Sequence, residues 1–302
     1  MQSKPQPHFF PVLSLLFSAT MWGVIWYPLR LLEEAGLGGL WATVVMYSVA
    51  SLVGLWLMRG HWRELLLHPG LLLVLALSNA WCNVAFILAV LDGQVVRVIL
   101  LFYLSPVWAI LLSMVILGER LDRIGIFTLV MALIGAAIML WEPEMGMPWP
   151  QDTAEWLAIS SGMGFALANV MVRKLQNVSI PAKTATTWFG VTIMALLWIA
   201  ISGIELPVTS MVTVGYAAML GLLGVVLMTL AVLYGVTHMP ISRSAAILLF
   251  EIVAGAISSQ LLSNEVIQLV EWVGGGLIIL AAYLSTRNHL KESQNESSYR
   301  SA

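Results

Sequence analysis

Long apolar runs recur along the chain, each closed by a short polar or glycine-rich connector. A helix needs about 20 mainly apolar residues to cross a hydrocarbon core about 30 Å thick. That ruler predicts spans over residues 9–29, 37–58, 69–91, 98–117, 122–141, 154–172, 185–204, 212–236, 243–262 and 267–286, ten in all. Connectors such as "EEAGLGG", "LDGQ", "GERLDR" and "SNEV" leave no room for a soluble domain between them. The first run continues through Trp22 and Trp26 to Leu29, longer than the apolar core of a usual signal peptide, so an uncleaved first span is expected. Residues 287–302, rich in Lys, Glu, Ser and Asn, read as a solvated, disordered tail.

Composition makes lipid the expected solvent. The 302 residues are 60% hydrophobic and 10% charged, with a mean hydropathy of +0.90. An ordinary soluble domain carries about 25% charged residues. The net charge of −2 gives no sign of nucleic-acid binding. One cysteine, Cys82, allows neither a disulfide framework nor a cysteine metal cluster, and no cofactor is expected.

Charge also fixes an expected orientation, because cytoplasmic loops hold an excess of Lys and Arg. With the N-terminus inside, the inner segments hold Lys4, Arg59, Arg63, Arg120, Arg123, Arg173, Lys174, Lys183, Arg243, Arg287, Lys291 and Arg300. The outer segments hold only Arg30 and Arg97, a bias of twelve to two. The outer face is acidic instead, with Glu33, Asp92, Glu142, Asp152 and Glu205 among its residues. Both termini are therefore expected inside.

A shift of 146 residues lays "RVILLFYLSPVW" from Arg97 over "RSAAILLFEIVA" from Arg243. Ser105 then falls on Glu251, Ser113 on Ser259 and Glu119 on Glu265. A shift near 143 brings Arg30 onto Arg173. Each half then holds five spans, and an odd number makes the second half enter from the opposite side. Residues 1–147 and 148–286 are thus expected to form two inverted five-helix repeats. Inverted repeats mark many secondary transporters, whose site lies near the midplane where the halves meet.

Polar-interrupted helices followed by "LGERL" or "LSNEV", and then by the small-residue spans "MALIGAAIML" and "VGGGLIILAAYLS", resemble the drug/metabolite transporter superfamily, specifically its EamA-like branch. The resemblance implies an all-α integral membrane fold of ten helices, N-in and C-in, in the bacterial inner membrane. It further implies a central cavity lined by spans 1, 3, 4, 6, 8 and 9, with spans 5 and 10 peripheral. Such carriers export amino acids, other metabolites or toxic compounds.

Glu251 is the sharpest candidate for chemistry. It lies eight residues into span nine from Arg243, about 12 Å along a helix rising about 1.5 Å per residue, and so near mid-bilayer. An ionised carboxylate there costs at least about 2.5–3.5 kcal/mol, so it should face a cavity or a partner. It would act as a proton acceptor or as counter-ion to a substrate amine; the alternative is a neutral Glu bonded to a neighbouring helix. Asn79 and Asn83 share a face of span three at i, i+4 spacing, as do Trp22 and Trp26 in span one. Asn169 sits well inside span six. These residues suit a site for a small amphipathic molecule, but also plain helix–helix hydrogen bonding, and the tryptophans an interfacial belt, more so Trp26 than Trp22.

Pro106 lacks an N–H and crowds the carbonyl of Phe102, so span four should bend there. Tyr103, Ser105 and the freed carbonyl join the candidates, with simple kinking as the alternative. Arg97 reads as a snorkelling interface anchor, and Glu119 and Glu265 as structural residues at helix ends. Glu271 lies near the outer interface, and Gly274, Gly275 and Gly276 allow close helix packing or a protomer contact.

A secondary carrier for a small-molecule substrate is the leading expectation. No P-loop of the G-x-x-x-x-G-K-[ST] kind occurs, which excludes an ATP-driven pump in one chain. A membrane-embedded enzyme is disfavoured because no H-E-x-x-H pattern occurs and all five histidines fall in loops or ends. A sensor or assembly partner without transport stays open, as do the substrate and the oligomeric state.

Overall fold

The computed structural model describes residues 9–93, 95–119, 122–140, 150, 152–262, 269–270, 272–284 and 287. Glu265, Glu271 and the tail beyond 287 lie outside the described residues. Among those described, the chain is all-helical, with no strand.

Helices form wherever an apolar run meets no proline past its first turn. They are α1 (Phe10–Val24), α2 (Trp26–Glu34), α3 (Gly39–Leu57), α4 (Pro69–Asp92), α5 (Val95–Phe102), α6 (Ser105–Ile116) and α7 (Arg123–Leu140). There follow α8 (Thr153–Lys174), α9 (Ile180–Ser202), α10 (Met211–Met219), α11 (Val226–His238), α12 (Ile241–Leu248), α13 (Phe250–Leu262) and α14 (Trp272–Leu284). Starts are set by local chemistry. Pro lies in the first turn of α1, α4, α6 and α9, where its missing N–H costs nothing, and Asp152, Ser179 and Ser210 cap α8, α9 and α10 through their side chains.

Seven helical segments are long and apolar enough to cross a membrane, which makes this an integral, multi-pass membrane protein. They include α1 and α2 joined as Phe10–Glu34, and α10 and α11 joined through a π-helical turn at Leu220–Val225. Shorter apolar helices cover the fourth, fifth and tenth expected intervals. Large apolar side chains such as Leu52, Val115, Ile201, Leu223 and Leu261 point outward and exposed, as lipid-facing surface should.

The first span is interrupted at Ile25, and two further spans are broken in mid-course in the interior. The helix around Arg97 stops at Phe102 and resumes at Ser105; the helix around Arg243 stops at Leu248 and resumes at Phe250. Both breaks are covered by a glycine of a neighbouring helix. A Cβ on Gly162 of α8 would lie 2.8 Å from the Phe102 carbonyl oxygen, and a Cβ on Gly23 of α1 would lie 2.6 Å from that of Glu251. Only glycine permits such approach, and small residues at helix contacts serve this purpose in membranes.

The helices pack in a reciprocal pattern. α4 lies against α8 and α1 against α11; α5 and α6 lie against α8, while α12 and α13 lie against α1. α3 packs on α9, and α12 touches both α6 and α7. The first half of the chain therefore builds its core largely against the second half.

Candidate functional site

The two broken spans meet at a polar contact. The Tyr103 side chain, at the break between α5 and α6, hydrogen-bonds the carboxyl group of Glu251 in the first turn of α13. Glu251 is the eleventh residue of the 22-residue segment Ile241–Leu262, and so sits at its middle. Both side chains are half-buried. A carboxyl group at this depth is tolerated where it has a partner, and Tyr103 supplies one.

Cys82 of α4 lies within electrostatic reach. It is buried and interacts electrostatically with both Glu251 and Tyr47 of α3. The Tyr47 hydroxyl donates to Asn83 Oδ1 at 2.9 Å, and Asn83 Nδ2 donates to the Asn79 carbonyl at 2.9 Å. Asn79, Asn83 and Tyr47 of α3 and α4 are thus hydrogen-bonded in a row, with Cys82 between them and Glu251 in electrostatic reach. Trp22 packs in the same apolar cluster as Tyr47. Aromatic rings close the other side, with Phe102 stacked edge-on against Tyr103 and Phe86 and tilted against Phe165.

The remaining candidates divide. Ser105 and Pro106 are buried at the start of α6, two and three residues past Tyr103. The Phe102 carbonyl that Pro106 frees is covered by Gly162 rather than open. Asn169 donates to the Phe165 carbonyl of its own helix at 3.1 Å, away from the Tyr47–Asn83–Asn79 row. The Trp26 indole N–H donates to Ser258 Oγ at 2.9 Å, and Ser258 in turn donates to the Gly23 carbonyl at 3.0 Å. Arg97 lies in the first turn of α5, and its side chain is outside the described residues.

Tyr47 and Cys82 were not singled out from the sequence. Each sits in an apolar run, and only the folded chain sets Tyr47 against Asn83 and Cys82 within electrostatic reach of Glu251. A signal existed for Cys82, which stands between Asn79 and Asn83 on the helix, but a lone cysteine reads as a small apolar residue.

A second polar network lies on the Lys/Arg-rich face. Arg173 Nε donates to Glu119 Oε1 at 3.3 Å and Arg173 Nη1 donates to the Thr237 carbonyl at 2.7 Å. Glu119 Oε2 accepts the Ile241 N–H at 3.1 Å, and Arg243 Nη2 lies 3.6 Å from Asp122 Oδ2. Lys183 is fully buried, its ammonium donating to the Val172 carbonyl at 3.1 Å and to Thr237 Oγ1 at 2.9 Å. In the neighbouring connector Glu64 Oε2 accepts the Ser179 N–H at 2.6 Å and Oε1 pairs with His61 Nδ1 at 2.6 Å. Burial would raise the Glu64 pKa, but the bonds from His61 and Ser179 outweigh it and hold the carboxyl below its ordinary value.

Comparison with known proteins resolves the class. The family model described as "EamA-like transporter family" matches residues 9–141 and again 152–287. The chain belongs to the EamA-like transporter family.

Relatives of this EamA-like chain include an uncharacterized transporter of Pseudomonas aeruginosa, 24% identical over 192 residues that cover 61% of each chain. An uncharacterized transporter of Archaeoglobus fulgidus is 25% identical over 228 residues, 72% of this chain and 76% of that one. Protein RarD of Salmonella typhi is 28% identical over 136 residues, 43% of this chain and 46% of its own. The match thus spans about three fifths of the Pseudomonas relative and under half of RarD. A solved crystal structure superposes with a TM-score of 0.73 at 18% identity, covering 92% of this chain and 98% of the other, and shows the fold alone.

Proposed function

We propose that this EamA-like protein is a secondary transporter that exports small amphipathic metabolites, such as amino acids, or drug-like compounds across the bacterial inner membrane. The observation that carries the reading is the Tyr103–Glu251 contact, made at mid-span by two helices that are both broken there. Broken helices leave backbone unpaired, and membranes tolerate that where it is buried in protein or lines a cavity.

The mechanism is alternating access by two inverted five-span repeats, residues 1–147 and 148–286, with both termini cytoplasmic. Three observations support it. The turn at Tyr103 and the break at Leu249 are 146 residues apart, the shift that aligns the halves in sequence. The helix contacts are reciprocal: exchanging each span with its counterpart turns α4–α8 into α1–α11, and α6–α8 into α13–α1. The family model matches the chain twice, once in each half. Two similar halves can pack in two mirror-related ways around one site, which is what exposes that site alternately.

Glu251 serves as proton acceptor or as counter-ion for a substrate amine, with Tyr103 orienting its carboxyl group. Asn79, Asn83, Trp22 and Ser105 contribute amide, aromatic and hydroxyl surface to the same region, and Asn169 lines the adjoining face of α8. Purified protein in sealed vesicles tests the reading, with a panel of radiolabelled amino acids and aliphatic and aromatic amines. Accumulation or counterflow of a panel member is expected; turnover of a vesicle lipid with no solute movement would replace the carrier by an enzyme.

A further inference from the structure

Glu119 bonds at once to two helices that come from the other half of the chain, and through Arg173 it is tied to a third. Its Oε1 takes the Arg173 guanidinium at the C-terminal end of α8, and that guanidinium also grips the Thr237 carbonyl near the end of α11. Its Oε2 takes the Ile241 N–H at the first residue of α12. The Ile241 N–H is one of the donors that a helix start leaves without an intrahelical partner, and a carboxylate there also meets the positive end of the helix dipole. Glu119 therefore caps a helix of the other half. Nearby, Asp122 pairs with the buried guanidinium of Arg243, two residues further along α12.

α12 joins this network to the candidate site. It runs from Ile241 to Leu248, and Glu251 follows across the break at Leu249. A shift of α12 that re-exposes Glu251 must either carry Glu119 with it or break the Glu119–Ile241 bond. The side chains of Glu119 and Arg173 are 21% and 28% exposed, so water reaches them and the pair can part without stranding a buried charge. Lys183, by contrast, bonds within the second half among the described residues, to Val172 and Thr237, and ties α9 to the ends of α8 and α11.

We propose that Glu119, supported by Asp122, is the positioning residue of a releasable latch that closes the cytoplasmic mouth of the transport route. The proposal rests on the carrier reading and its orientation. In the described state the latch holds α12 against the ends of α6, α8 and α11, which seals the Lys/Arg-rich face. Opening to the cytoplasm requires the carboxylate of Glu119 to leave the Ile241 N–H and Arg173 together.

Cys82 gives a readout that needs no known substrate, because it is the protein's one cysteine and lies within electrostatic reach of Glu251. The full chain is placed in vesicles of fixed orientation and treated with a membrane-impermeant maleimide on one side at a time. Glu119→Gln should raise the cytoplasmic-side labelling rate of Cys82 about five-fold or more, the low end of an ordinary coupling free energy, and lower the opposite rate. Glu119→Asp should recover part of the wild-type bias. Asp122→Asn, which can still cap Gly125 through its side-chain oxygen, should move the bias in the same direction by less, and it serves if Glu119→Gln does not fold. Unchanged labelling from the cytoplasmic side in the folded variants overturns the latch. Failure of the carrier reading shows separately: vesicles that move no panel solute, while Glu119→Gln still gains labelling, keep the latch and lose the transport.

Discussion

Tyr103 and Glu251 come from different halves of the chain and share one hydrogen bond at the breaks of their helices. The bond orients a carboxyl group that also lies within electrostatic reach of the buried Cys82 thiol. A hydrogen bond to an ionised group is worth about 1.5–3 kcal/mol. Tyr103→Phe is therefore expected to slow transport roughly 10- to 100-fold with membrane insertion unchanged, on that same range. Initial rates in vesicles at matched protein density check it; a variant within two-fold of wild type would leave Tyr103 outside the site.

The glycines over the two breaks should not accept a methyl group. Gly23→Ala meets the Glu251 carbonyl, the Ala254 Cβ at 2.7 Å and the Gly255 nitrogen at 2.7 Å, none of which is the end of a flexible side chain. Gly162→Ala meets the Phe102 carbonyl at 2.8 Å. Each is expected to cost about 1–3 kcal/mol, the usual range for overpacking. Gly215→Ala, in α10 with open space around it, should instead be neutral or stabilise by about 0.5–1 kcal/mol. Tm values of the solubilised proteins compare the three.

Lys183 buries an ammonium with two neutral acceptors, and no carboxylate pairs with it among the described residues. Removing the charge removes its desolvation cost as well as its bonds. Lys183→Met is thus expected to leave stability unchanged or raise it, whereas Thr237→Val strands the ammonium short of one acceptor and should cost about 1–3 kcal/mol. Thermal unfolding checks it: Thr237→Val should melt lower than wild type and Lys183→Met should not.

Glu64 ties the connector before α4 to the start of α9, and its bonds favour the ionised form. Because its pKa is lowered in the folded protein, its contribution is complete above the ordinary carboxylate range. It is lost as pH falls through the lowered value. Glu64→Gln should therefore lower Tm near neutral pH, where the contribution is complete, with the two proteins converging as pH falls, measured as paired melting curves from mildly acidic to neutral buffer.

Much of this architecture is legible in the sequence because lipid imposes a simple rule. Apolar length gives the positions of the spans, so Pro69–Asp92 and Ile180–Ser202 are found within a few residues of 69–91 and 185–204. Pro106 announces the break in span four, although the turn falls at Tyr103–Leu104, just ahead of the ring that provokes it. The break at Leu249 has no proline and shows only through the 146-residue shift. Glu251 stands out as a charge among apolar residues, whereas Tyr47 and Cys82 do not, since their roles depend on which helix lies opposite. The same limit explains Glu119. At a helix end it reads as structural, and only the folded chain sets Arg173 and Ile241 against it.

The central claim is that Glu251 is the working group of a carrier site. The most direct measurement is solute flux in sealed vesicles across imposed pH gradients, with the amino acid and amine panel, for wild type and Glu251→Gln side by side. The account predicts a wild-type flux that changes with the gradient, and a well-inserted Glu251→Gln protein whose flux is abolished or no longer responds to pH. Equal flux from the two proteins at every gradient would contradict it.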